Sequence, residues 1–108
     1  MKGEFVRGHL ATMVLAVLAA GPAHGYGVAA ELKRRSDDQL EVLEGSLYPA
    51  LHRLEGAGWV SSDWEKSEGR RRRSYSLTAD GKFELHSRAA RWTAFRSFMD
   101  SLLEDADA

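Results

Sequence analysis

Four consecutive arginines, Arg70, Arg71, Arg72 and Arg73, constrain this chain more than any other feature. Like charges repel, and an unpaired guanidinium is costly to bury, so the run belongs on a surface edge. Residues 66–73 set five basic side chains against Glu68 alone, a local charge of +4 in a chain whose total is −1. The flanking residues alternate. Val60, Ser62 and Trp64 interleave with Ser61, Asp63 and Glu65; Arg73, Tyr75 and Leu77 interleave with Ser74 and Ser76. A period of two predicts two strands. The segment Lys66 to Arg72, with Ser67 and Gly69, reads as too long for a tight turn, so the expected element is a hairpin with an extended basic tip.

Helical signals fill the rest. The apolar run from Leu10 to Ala20 is broken only by Thr12, and Gly21-Pro22 follows as a terminator. It predicts helix 1 from about Gly8 to Ala20. Lys2 and Arg7 ahead of the run give it a superficial likeness to a secretory signal. Glu4 among those cations and the Gly-Pro stop argue for a buried helix instead. Its eleven residues fall short of the about 20 that a membrane span needs, so no membrane partner is expected. Helix 2 is expected from about His24 to Arg35, with Lys33, Arg34 and Arg35 suiting its negative end. Ser36 to Leu43 reads as an acidic connection. Helix 3 is expected from about Gly45 to Ala57, because proline is tolerated in a first turn and Pro49 would then need a cap at Gly45 or Ser46. Thr78 is the expected cap of a last helix reaching about Leu103.

The length of 108 residues fits one domain with a limited core, and a partner chain would help to complete it. With no cysteine in the chain, disulfides, thiolate zinc sites, iron–sulfur clusters and thiol nucleophiles are excluded, and a reducing cytoplasm suits the composition. His9, His24, His52 and His86 lack metal-ligand spacing, and no phosphate loop or nucleophile elbow occurs, so neither an enzyme nor a cofactor is expected. The predicted fold is mostly α with a small β-hairpin. Three short helices, a hairpin and a long helix form a winged helix-turn-helix plus one long C-terminal dimerisation helix. Residues 1–78 would be the DNA-binding domain and 79–108 the dimerisation helix, joined in one compact unit.

On a helical wheel Leu47, Ala50, Leu51 and Leu54 of helix 3 share an apolar arc, while Gly45, Pro49, His52 and Arg53 lie opposite and Ser46 and Tyr48 flank them. A helix that enters a DNA groove needs such a face, with small residues near its start and hydrogen-bonding groups beyond. The same face would also arise from a capping Ser46, a packed Tyr48 and solvated His52 and Arg53. In a strand, alternate arginines point to opposite faces, so one pair of the run could reach phosphates while the other faces the protein. The alternative function is a winged-helix protein–protein interaction module whose basic wing binds an acidic protein.

Trp92, Phe95, Met99, Leu102 and Ala106 recur at spacings of 3, 4, 3 and 4, with Phe98 and Leu103 widening the stripe. That is a coiled-coil seam. A small domain cannot readily cover it, so a two-fold homodimer through Trp92, Phe95, Phe98, Met99 and Leu102 is expected, with packing on helix 1 as the alternative or an addition.

Several segments together carry a family resemblance. They are His24-Gly25-Tyr26; Glu44-Gly45-Ser46-Leu47-Tyr48-Pro49-Ala50-Leu51-His52-Arg53-Leu54-Glu55; Gly58; the stretch from Gly69 through the arginines to Thr78; and Gly81. In this order they cover nearly the whole chain, which resembles the PadR-like transcriptional regulators, in particular the short subfamily with a single C-terminal dimerisation helix. The resemblance implies a homodimeric repressor on an inverted-repeat operator in double-stranded DNA. It implies Ser46, Tyr48, Pro49, His52 and Arg53 in the reading helix, Arg70, Arg71, Arg72 and Arg73 in the wing, and His24 with Tyr26 beside the DNA-facing surface. Some short members of the family place a tryptophan of the last helix at a dimer pore that takes flat aromatic drugs, which makes Trp92 the candidate residue for a small aromatic effector.

Overall fold

The computed structural model describes residues 6–107; Lys2, Glu4 and Ala108 lie outside the described residues. The apolar run near the amino end forms α1 (Leu10–Leu18), and Leu10, Val14, Leu15, Val17 and Leu18 are all buried. The helix is apolar because it sits at the centre, touching α2 (Gly25–Arg35), α3 (Glu44–Gly56) and the long α4 (Ala79–Asp107). It is shorter than expected. Ala19 caps it, and turn-type bonds from Ala20 N–H to Val17 and from Gly21 N–H to Leu18 close the end. Val28, Leu32, Leu47, Leu51, Leu54, Val60 and Tyr75 complete the core around it.

The sheet has three strands, not the two that alternation predicts. Besides β2 (Val60–Ser67) and β3 (Arg70–Leu77), the two-residue β1 (Ala23–His24) pairs antiparallel with β3, giving the order β1-β3-β2. Two residues carry no readable period, so nothing local announces β1. His24 is accordingly the N-cap of α2 and not its first residue.

The hairpin tip also differs from expectation. Both strands run to its end, with Ser67 opposite Arg70, Lys66 opposite Arg71, Glu65 opposite Arg72 and Trp64 opposite Arg73. Only Glu68 and Gly69 lie in the turn, at φ 52° and 77°. Two successive left-handed residues make the turn type whose twist matches a two-residue hairpin. The arginines therefore stand on a ladder, where alternation fixes their directions.

α3 begins at Glu44, one residue before the expected start, and its cap lies two or three residues ahead of the expected Gly45 or Ser46. Leu43 is the N-cap, without a side-chain cap bond, and its carbonyl accepts from the N–H of both Ser46 and Leu47 at 3.0 Å. Pro49 is then the sixth helical residue, and the carbonyl lacking its usual donor belongs to Gly45, which is exposed. An orphan carbonyl on an open face can be hydrated, which is why the helix tolerates proline there.

α4 starts on a cap. The Thr78 hydroxyl donates to the Gly58 carbonyl at 2.6 Å and accepts from Gly81 N–H at 3.0 Å. A Cβ on Gly81 would collide with the Trp59 carbonyl oxygen, so the first turn needs glycine there. Arg88 then ties the helix to α1, donating to Thr12 at 2.9 Å and to Glu84 at 2.6 Å, with its guanidinium 5.3 Å from the centre of the Trp59 ring. α4 continues to Asp107, beyond the expected end at Leu103, because its terminal acids are exposed and none breaks a helix. Its 29 residues lie along a molecule 60 Å in its longest dimension.

Candidate nucleic-acid interface

α3 buries Leu47, Ala50, Leu51 and Leu54 and leaves Ser46, Tyr48, Pro49, His52 and Arg53 exposed, so its polar face is turned outward. Tyr48 serves two surfaces. Its ring lies over Gly25, where an added Cβ would come within 2.7 Å of the phenol oxygen, yet Tyr48 is still 41% exposed. Contact between α2 and the start of the outward face of α3 thus depends on a residue without a side chain.

The hairpin stands beside this face. Val60, Ser62, Trp64 and Lys66 on β2 share one side of the ladder with Arg71, Arg73, Tyr75 and Leu77 on β3. At the root of the wing this side packs into the core through Val60 and Tyr75. Farther out, Arg73 and Tyr75 meet Tyr48, Pro49, His52 and Glu55 around an open cleft between wing and α3. Arg70 and Arg72 point to the other side, so the run divides into two pairs, as strand alternation predicts.

The pairs have different surroundings. Arg73 Nε–H donates to Ser62 Oγ at 2.8 Å, Ser62 donates to the Glu55 carboxylate at 2.5 Å, and that carboxylate lies 3.9 Å from the Arg73 guanidinium. Glu55 on α3 is therefore an acidic partner of the run, besides the Glu68 that the sequence offered. Arg71 and Arg73 both approach the Trp64 ring, at 4.9 and 5.1 Å from its centre. Among the described residues no hydrogen bond or ion pair engages the side chain of Arg53, Arg70 or Arg72. Glu65 faces Arg72 across the ladder, but it accepts instead from His24 Nε2–H at 3.2 Å. His24 is half-buried in β1 at the edge of the same surface.

Sequence reasoning missed Glu55, Ser62, Trp64 and Gly25 as parts of this surface. Each acts across elements, and only the β2–β3 register, the packing of α3 on β2 and the packing of α2 on α3 bring them to the arginines and Tyr48. Burial pushes the Tyr75 phenol above its ordinary pKa, outweighing the nearby Arg73, so the hydroxyl at the wing root stays neutral. Of the cations ending α2, the two arginines are otherwise engaged: Arg34 and Arg35 both bond Glu31, and hold its carboxyl down at about 2.

On α4 the apolar stripe is open. Phe95, Phe98 and Leu102 are exposed and Met99 is half-buried. Trp92 meets the His9 ring edge-on at 5.4 Å, so its contact with the α1 side of the chain is partial. His9, Thr12, Met13, Arg88, Arg91, Trp92 and Phe95 line an open groove of about 500 Å³. Among the described residues no three potential metal ligands converge, and no helix is long and apolar enough to cross a membrane.

Comparison with known proteins agrees with this geometry. Residues 14–87 match the profile of the Transcriptional regulator PadR-like family. The transcriptional regulator Rv3488 of Mycobacterium tuberculosis is 37% identical over 82 residues, covering 76% of this chain and 74% of that protein. A PadR family transcriptional regulator from Eggerthella lenta has a similar crystal structure, with TM-score 0.81 and 32% identity, over 94% of this chain and 87% of that one. A transcriptional regulator from Clostridium thermocellum has TM-score 0.84 and 25% identity, over 92% of this chain and 97% of that one.

Proposed function

We propose that this chain, which belongs to the PadR-like family of transcriptional regulators, is a cytoplasmic homodimeric repressor that binds an inverted-repeat operator. Members of the family are transcriptional regulators, not enzymes. The observation that carries the reading is the cleft: the polar face of α3 and the wing residues Arg73 and Tyr75 border one open space, on the strand face that Arg71 shares. In this reading Ser46, Tyr48, Pro49, His52 and Arg53 enter the major groove, Arg70, Arg71, Arg72 and Arg73 lie along the adjacent backbone, and His24 steadies the edge. Residues 1–78 bind DNA; residues 79–108 hold two chains together through Trp92, Phe95, Phe98, Met99 and Leu102. A small aromatic effector, stacking at Trp92 in the groove beside α1, would alter that pairing.

Binding of the chain to labelled duplexes across a salt series tests the reading. Affinity should fall steeply with salt, because each phosphate contact releases counterions. Arg71→Ala and Arg72→Ala should weaken every duplex alike, whereas Arg53→Ala or His52→Ala should change which sequence is preferred, by about 1–3 kcal/mol at the affected base pair. Salt-insensitive binding, or binding to an acidic polypeptide and to no duplex, would favour the interaction-module reading instead.

A further inference from the structure

Trp64 is an anomaly on the wing. It is 55% exposed on a strand whose neighbouring residues are polar, and the reading above gives it no role. Its ring is nevertheless occupied. It pairs directly with Arg73 across the ladder and lies diagonal to Arg71, and both guanidiniums sit about 5 Å from its centre.

The arrangement resolves a conflict built into the sequence. Arg71 and Arg73 are alternate residues on one strand face, so two like charges are forced to be neighbours. Free in solvent, they would repel and spread over many rotamers. The electron-rich indole attracts both, and a stacked guanidinium keeps its N–H edge available for hydrogen bonds. Ser62 and Glu55 hold Arg73 further, linking the pair to α3.

We propose that Trp64 is a positioning residue, whose indole holds the Arg71 and Arg73 guanidiniums together on the α3 side of the wing as one preset clamp for the phosphate backbone of a duplex. The inference rests on the DNA-binding reading and deepens it by naming what shapes the wing contact. Pre-ordering these forks before contact spares the complex the ordering cost at binding.

The test uses the full chain and a labelled mixed-sequence duplex at low salt, since phosphate contacts carry no sequence information. Trp64→Leu should weaken binding about tenfold, while Trp64→Phe, which keeps a π face, should restore most of the loss. In an Arg71→Ala/Arg73→Ala background, Trp64→Leu should cause no further loss. Without DNA, the Nε–H protons of Arg71 and Arg73 should show indole ring-current shifts in the NMR spectrum that Trp64→Leu abolishes. That readout needs only the folded parent chain, so it holds even where Trp64→Leu folds poorly. Unshifted protons in the parent chain would overturn the clamp. So would a full Trp64→Leu loss in the arginine-free background, which would mean that the indole touches the duplex itself. A parent chain that binds no duplex overturns both this inference and the repressor reading; binding with an additive cycle overturns this inference alone.

Discussion

Gly25 and Gly27 are two residues apart on α2 and make opposite demands. A Cβ at Gly25 would lie 2.7 to 2.8 Å from three atoms of the Tyr48 side chain, whereas one at Gly27 meets nothing nearer than the Ala23 Cβ at 3.8 Å. Gly25→Ala must therefore push Tyr48 off α2, and should cost about 1–3 kcal/mol in denaturant unfolding together with a loss of DNA affinity. Gly27→Ala should leave DNA binding unchanged and be neutral or stabilising by up to about 1 kcal/mol, because alanine suits a helix interior better than glycine. Equal effects of the two substitutions would contradict the packing of Tyr48 described above. The same scale explains what the sequence hid at the site. The residue types on the outward face of α3 follow from helical spacing, but the partnership of Glu55 with Arg73 spans 18 positions and depends on where the hairpin lands.

At the scale of elements, the four helices and the two long strands are readable because each repeats its apolar positions with its own period. Leu47, Ala50, Leu51 and Leu54 form the predicted arc and are the residues buried in α3. What escaped has no period to show. β1 is two residues long and exists only through pairing with β3. The start of α3 is set by two N–H groups sharing the Leu43 carbonyl, local backbone bonds that no side-chain cap announces and that place Pro49 beyond the first turn. The turn was hidden by Glu68, an uncommon residue for the left-handed conformation that it adopts at φ 52°. Asparagine takes that conformation more readily, so Glu68→Asn should tighten the hairpin and add about 0.5–1 kcal/mol to stability, read from thermal unfolding. A decrease would argue against the two-residue turn.

At the scale of the molecule, α4 decides whether one chain is enough. Its first turn is fastened by Thr78 and Gly81 and its third by Arg88, but Phe95, Phe98 and Leu102 form an open apolar stripe on its later turns. Monomeric proteins seldom leave such stripes uncovered, and the 3,4 spacing suits a second copy. Leu102→Asp should convert a two-chain species to a single chain in sedimentation equilibrium, with the α1 core intact by circular dichroism. It should also lower operator affinity about a hundredfold, because two linked half-site contacts become one. An unchanged mass would show that the stripe is covered in some other way. The central claim, that paired α3 helices and paired wings meet one duplex together, is tested most directly by footprinting the chain on the DNA upstream of its own gene. The account predicts two symmetric protected half-sites about 34–36 Å apart, or a multiple of that spacing, which fade as salt is raised. Protection of a single asymmetric site, or none at any salt, would contradict it.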